Sequence, residues 1–153
     1  MKIHHLGIAV ESLLTAVPVF EALLGQRPES EESVADQHVR VAMFNVGESH
    51  IELLEATSPD SPIARFVAKR GPGIHHLTLT VPDLPKTLAE LEAKGVKLID
   101  REPRVGAGNE RIAFLHPSST AGVLIELIEE ESGVRSENED RWIGRVLDSP
   151  SFS

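Results

Sequence analysis

Residues 3–10 read IHHLGIAV, and residues 74–81 read IHHLTLTV. Both stretches suit a β-strand, in which successive side chains point to opposite faces. In the first copy His5, Gly7 and Ala9 share one face, while Leu6, Ile8 and Val10 share the other. In the second copy His76, Thr78 and Thr80 oppose Leu77, Leu79 and Val81. His5 and His76 therefore point toward small or polar neighbours, as on the wall of a cleft. His4 and His75 are expected on the other, helix-packed face, at the strand start.

The similarity extends outward from these strands. Each is followed by a helical pattern that stops near a glycine, a usual residue just beyond a helix end. The first pattern covers 12–24 with Gly25 as the stop, and the second covers 85–94 with Gly95. Further strands are predicted at 39–46 and 49–55, and again at 110–115 and 122–128. The paired histidines are 71 residues apart and the glutamates Glu52 and Glu126 are 74 apart, so loops absorb the difference. This pattern predicts an α+β chain of two tandem βαβββ modules, 1–56 and 73–130.

Between the modules, 57–72 contains Ser58-Pro59-Asp60-Ser61-Pro62, which favours a turn. Ser61 can cap a short helix running to Lys69, with Pro62 at its first position. The polar tail 131–153 has no counterpart in the repeat. It is expected to be partly disordered or to form a short helix around 142–147.

Composition narrows the function. The 153 residues are 41% hydrophobic, enough for a core. There is no cysteine, so disulfides and thiolate metal sites are excluded and any metal must be held by His and carboxylate. The net charge of −9 argues against a nucleic-acid partner, because phosphate binding needs a basic field. No apolar run approaches the roughly 18 residues of a membrane span, so no membrane partner is expected. The start of the chain moves directly into strand-like sequence; no signal peptide is expected, and the cytoplasm is the expected location.

Glu52 interrupts the apolar run Ile51-Glu52-Leu53-Leu54, and Glu126 interrupts the run 123–128. A carboxylate inside such a strand is costly unless it is paired or bound to a metal. A lone His at a strand start is more often structural, and a lone Glu in a strand more often faces solvent. Here each half supplies one of each at matching places. Brought together, His5, Glu52, His76 and Glu126 would make a His2Glu2 site. That donor set suits Co, Ni, Mn, Fe or Zn and leaves positions open for water or substrate. His38, His50 and His116 lie in or near loops, lack copies, and read as surface or substrate-side residues.

Four stretches carry a family resemblance: HHLGIAV (4–10), VGESHIELLEATSPDSPIARF (46–66), GIHHLTLTV (73–81) and AFLHPSSTAGVLIELIE (113–129). Together they resemble the vicinal-oxygen-chelate superfamily, which includes glyoxalase I, and within it the methylmalonyl-CoA epimerase family. The resemblance covers 3–130, so it implies one domain over 1–130. It implies a cupped mixed sheet around a divalent metal, with cobalt first and nickel, manganese or zinc as alternatives. The implied ligands are His5, His76 and Glu126, with Glu52 where relatives carry Gln or Glu.

The resemblance also implies a second acidic residue as catalytic base, which falls on Asp36 in Ala35-Asp36-Gln37-His38-Val39. Relatives usually carry Glu-Gln-Gly-Val there, so this chain has a shorter acid and a His in place of Gly. The implied reaction interconverts (2R)- and (2S)-methylmalonyl-CoA. A proton next to the thioester is removed through a metal-stabilised enolate, with Glu126 and Asp36 as the two bases. The acyl-CoA would lie near loops 104–111 and 117–122. Gly106 and Gly108 permit close backbone approach there, and Ser118, Ser119 and Thr120 can donate hydrogen bonds. A homodimer is implied as well. Two other functions share the fold: lactoylglutathione lyase (glyoxalase I), with the same four ligands, and metal-free binding of small molecules. Proteins of the latter kind typically lose the ligand residues, and all four are present here.

Overall fold

The structure, a computed structural model, describes residues 1–35, 38–105 and 109–131. Asp36, Gly106, Gly108 and the helix predicted in the tail lie outside the described residues. The first half forms β1 (Lys2–Val10), α1 (Leu13–Leu24), β2 (Ser30–Val34), β3 (Val39–Val46) and β4 (Ser49–Ala56). A connecting helix α2 (Pro62–Arg70) follows. The second half forms β5 (Gly73–Val81), α3 (Leu84–Ala93), β6 (Arg104–Val105), β7 (Arg111–Leu115) and β8 (Leu124–Glu129). Both halves therefore have the βαβββ order read from the repeat.

Local chemistry explains the helix ends. Gly25 closes α1 in the left-handed conformation at φ 67°, and Gly95 follows α3 at φ 85°. Ser61 caps α2 by accepting from the Ile63 amide at 3.2 Å, with Pro62 in the first turn. α3 begins one residue earlier than its predicted start, because Asp83 is the cap and accepts from the Lys86 amide at 3.0 Å. No helix among the described residues is long and apolar enough to cross a membrane.

All eight strands join one mixed sheet in the order β2-β3-β4-β1-β5-β8-β7-β6. From the middle outward the two halves repeat the same succession. β1 and β5 meet antiparallel at the centre, β1 pairs parallel with β4, and β5 pairs parallel with β8. The buried clusters repeat too. Val10, Leu13, Val17, Ala42 and Phe44 pack beneath α1, and Val81, Leu84, Leu88, Ala113 and Leu115 pack beneath α3. Each of these pairs has the same 71-residue separation as His5 and His76.

The other face of the sheet carries the site. On the first half it buries Ala9, Val41 and Leu54 against Ile63 of α2. On the second half it buries Ile112, Phe114, Leu124 and Ile128.

Strict alternation fails at two matching places. Along the central seam Ile3 pairs with Leu79 and His5 with Thr78, so His4 is passed over. Gly7 pairs with His76 and Ile8 with Ile74, so His75 is passed over. These are β-bulges, which insert one residue into one strand and re-aim its side chains. His75 consequently packs edge-on against Phe66 of α2, at 5.0 Å between ring centroids. His75 was expected on the face opposite His76; it packs instead on α2, on the side of the sheet that carries the site.

Candidate metal centre

The register fixes the site. Gly7 of β1 is flanked by Glu52 of β4 and His76 of β5. Thr78 of β5 is flanked by His5 of β1 and Glu126 of β8. His5, Glu52, His76 and Glu126 are all fully buried.

Among the described residues, the ligand-type atoms of His5, Glu52 and His76 lie within 4.8 Å of one another. The Nε2 atoms of His5 and His76 are 3.0 Å apart. They stand 3.6 and 4.0 Å from Glu52 Oε2. Glu126 is not a member of this compact group, and Thr78 separates it from His5 in the register. The structure thus brings three of the four predicted ligands together and leaves the fourth on the same sheet face, one strand beyond.

Gly7 is what admits the His76 ring. A Cβ placed at residue 7 would lie 1.8 Å from Cε1 of His76. Thr78 has a different part: its Oγ1 is 3.1 Å from His5 Nε2. Reading the sequence for ligands passes over both residues. The signal available was their place between the His and Glu positions on the small-residue face.

The electrostatics suit a cation. Burial, with repulsion from neighbouring His5 and His75 were they protonated, holds the His76 imidazole well below its ordinary 6.5, so it stays neutral and offers a lone pair. Burial pushes the Glu126 carboxyl up from 4.5 to about 8; the Glu52 charge adds to this, Arg104 opposes it, and Asp100 adds a smaller part. Neither oxygen of Glu126 has a hydrogen-bond partner among the described residues. Two buried carboxyls beside neutral nitrogen donors are a fit for a divalent metal.

The remaining histidines separate by role. His50 lies at the start of β4, in the strand expected at 49–55, but is buried opposite His5 rather than at the surface, with Nε2 3.9 Å from Glu29 Oε2. His116 caps a short 3-10 turn by accepting from the Ser118 amide at 3.1 Å. The loop hydroxyls expected near an acyl-CoA make internal bonds: Ser118 with His116, Ser119 with the Lys97 amide, and Thr120 with the Val123 carbonyl. Arg104, at the start of the other loop, stacks over Phe114 at 5.0 Å, and its Nε is 3.5 Å from Asp100.

A two-module sheet with buried His and Glu at its centre defines a class, and sequence comparison gives the same one. Residues 4–114 match the Glyoxalase/Bleomycin resistance protein/Dioxygenase superfamily. The chain is 40% identical over 138 residues to the uncharacterized protein YqjC of Bacillus subtilis, covering 90% of this chain and 99% of that protein. It is 32% identical to the mitochondrial methylmalonyl-CoA epimerase of Bos taurus, covering 82% of this chain and 73% of the relative. The crystal structure of methylmalonyl-CoA epimerase from Mycobacterium tuberculosis superimposes with a TM-score of 0.70 at 39% identity, covering 84% and 87% of the two chains. The chain belongs to that superfamily and, within it, to the methylmalonyl-CoA epimerase family.

Proposed function

We propose that this chain interconverts (2R)- and (2S)-methylmalonyl-CoA. The observation that carries the reading is the buried convergence of His5, Glu52 and His76 beside a fully buried Glu126 of raised proton affinity. The family membership supports this substrate. His5, Glu52 and His76 would hold a divalent cation, cobalt first, with Glu126 as the fourth ligand. Such a cation supplies Lewis-acid stabilisation of the charge that develops on the thioester oxygen, worth several kcal/mol.

The chain's own groups do the rest. The proton is carried by the carbon between a thioester and a carboxylate; one base must remove it from one face while a second delivers a proton to the other. Glu126 serves one face, on the strength of its fully buried place beside Thr78 and the ligand cluster and of its place in the family pattern. Asp36 serves the other, on the strength of its place in the family pattern. The apolar surround of Ile112, Phe114 and Leu124 keeps bulk water from the site. We also propose a homodimer, supported by the exposed apolar side chains Leu14, Val19 and Leu23 along α1.

The test is exchange at C2 of methylmalonyl-CoA in deuterated water by cobalt-loaded protein. Deuterium uptake with epimerisation is expected. No exchange with any divalent metal, with turnover of the glutathione–methylglyoxal adduct instead, would assign the lyase activity. A chain that stays metal-free after dialysis against cobalt or nickel would assign metal-free binding.

A further inference from the structure

We propose that His4 and His75 are positioning residues, each holding the adjacent ligand imidazole in the tautomer that turns its Nε2 lone pair toward a shared cation. This rests on the metal-site reading above and adds two residues to it.

The Nε2 atoms of His5 and His76 are the ones that converge, on each other and on Glu52. A neutral imidazole that offers Nε2 as a ligand carries its proton on Nδ1. In both halves that Nδ1 meets a second imidazole. His5 Nδ1 is 2.9 Å from His4 Nδ1, and His76 Nδ1 is 3.1 Å from His75 Nδ1. Two nitrogens at this distance share one hydrogen. With it on the inner ring, the outer ring accepts at Nδ1 and keeps its own proton on Nε2. Metal-bound histidines commonly make this outer bond to a carboxylate, a carbonyl or water. Here a neighbouring histidine fills the place twice.

The backbone supplies the reason. An adjacent residue in a regular strand points to the opposite face and cannot reach its neighbour's ring. The bulges at His4 and His75 remove that restriction in both halves. The outer rings are braced in turn: His75 lies edge-on to Phe66, and the ring of His4 is 6.4 Å from that of His50. The sequence repeats both histidines of the pair, while coordination itself uses one from each.

The experiment measures cobalt affinity of the full chain by calorimetry. His75→Leu and His4→Leu are expected to weaken binding by about 10–100-fold. His75→Asn, whose side-chain carbonyl can accept at the same place, is expected to recover most of that loss. Leu variants that fold and bind as tightly as the wild type overturn the proposal. The ligand set fails separately: a wild type that takes up no cobalt, or His76→Ala that binds undiminished, refutes the metal site itself. A second measurement needs no variant. In zinc-loaded protein labelled with 15N-histidine, His5 and His76 are expected to carry their proton on Nδ1, and His4 and His75 on Nε2. The reverse assignment overturns the proposal even where a Leu variant does not fold.

Discussion

The two halves share a backbone and differ at the positions that decide chemistry. In the first, Gly7 separates Glu52 from His76 with no side chain, and the carboxylate and both imidazoles draw together. In the second, Thr78 separates Glu126 from His5 and places a hydroxyl against the His5 ring. The cross-strand neighbours differ as well: Met43 stands opposite Glu52, and Phe114 opposite Glu126. Duplicated strands have thus produced two unlike carboxyls. Glu52 is built into the compact ligand cluster, and Glu126 stands one strand beyond it, its proton affinity raised in the metal-free chain. Symmetry supplies the positions, and the small residues between them assign the roles.

The sharpest way to break this contrast is to neutralise Glu126. Glu126→Gln is expected to lower turnover of methylmalonyl-CoA by about 10²–10⁴-fold, the range for loss of a positioned acid–base group. Retained fold by circular dichroism completes the check; activity within a few-fold of wild type would remove Glu126 from the proton transfer.

The same variant tests the electrostatics without substrate. The Glu126 carboxyl is raised in the folded chain, from 4.5 to about 8. Between those values the unfolded chain has released this proton and the folded chain holds it. Stability of the metal-free protein therefore falls as pH rises from 4.5 to about 8, by on the order of a few kcal/mol. The buried His75, lowered from 6.5 to about 4, acts in the opposite sense as pH rises between those two values. Subtracting the profile of Glu126→Gln, measured by urea unfolding, isolates the carboxyl. An unchanged slope in the variant would contradict the assignment.

The smallest expected effect compares the two separating residues. Gly7→Ala forces its new methyl into the His76 ring and is expected to cost about 1–3 kcal/mol, with weakened cobalt binding. Thr78→Ala removes one hydroxyl contact and is expected to cost about 1 kcal/mol. Thermal unfolding of both variants would show whether the halves differ in this order. Equal losses would mean that crowding at Gly7 is relieved elsewhere.

Much of this was legible in the residues. The repeat around the histidine pairs gave the module order, the glycine stops gave the helix ends, and Ser61-Pro62 gave the connecting helix. The buried glutamates were legible because charge inside an apolar run is costly. The bulges were not, since an inserted residue leaves the same letters as a regular strand. That is why His75 was expected on the wrong face. His50 falls in the strand read at 49–55, but its place beside the turn at Gly47 and Glu48 suggested a surface or substrate-side residue, whereas the chain buries it opposite His5. The separation of Glu126 from the other ligands depends on cross-strand register, which one strand's sequence does not encode.

The seam between β1 and β5 carries a further consequence. Each module presents there a nine-residue strand that pairs on one side within its own module and on the other only across the join. Half of this chain on its own would expose that edge and a fragment of a cation site, which is the condition that drives edge-to-edge aggregation. Fusing the copies in one polypeptide keeps each exposed edge tethered to its own partner.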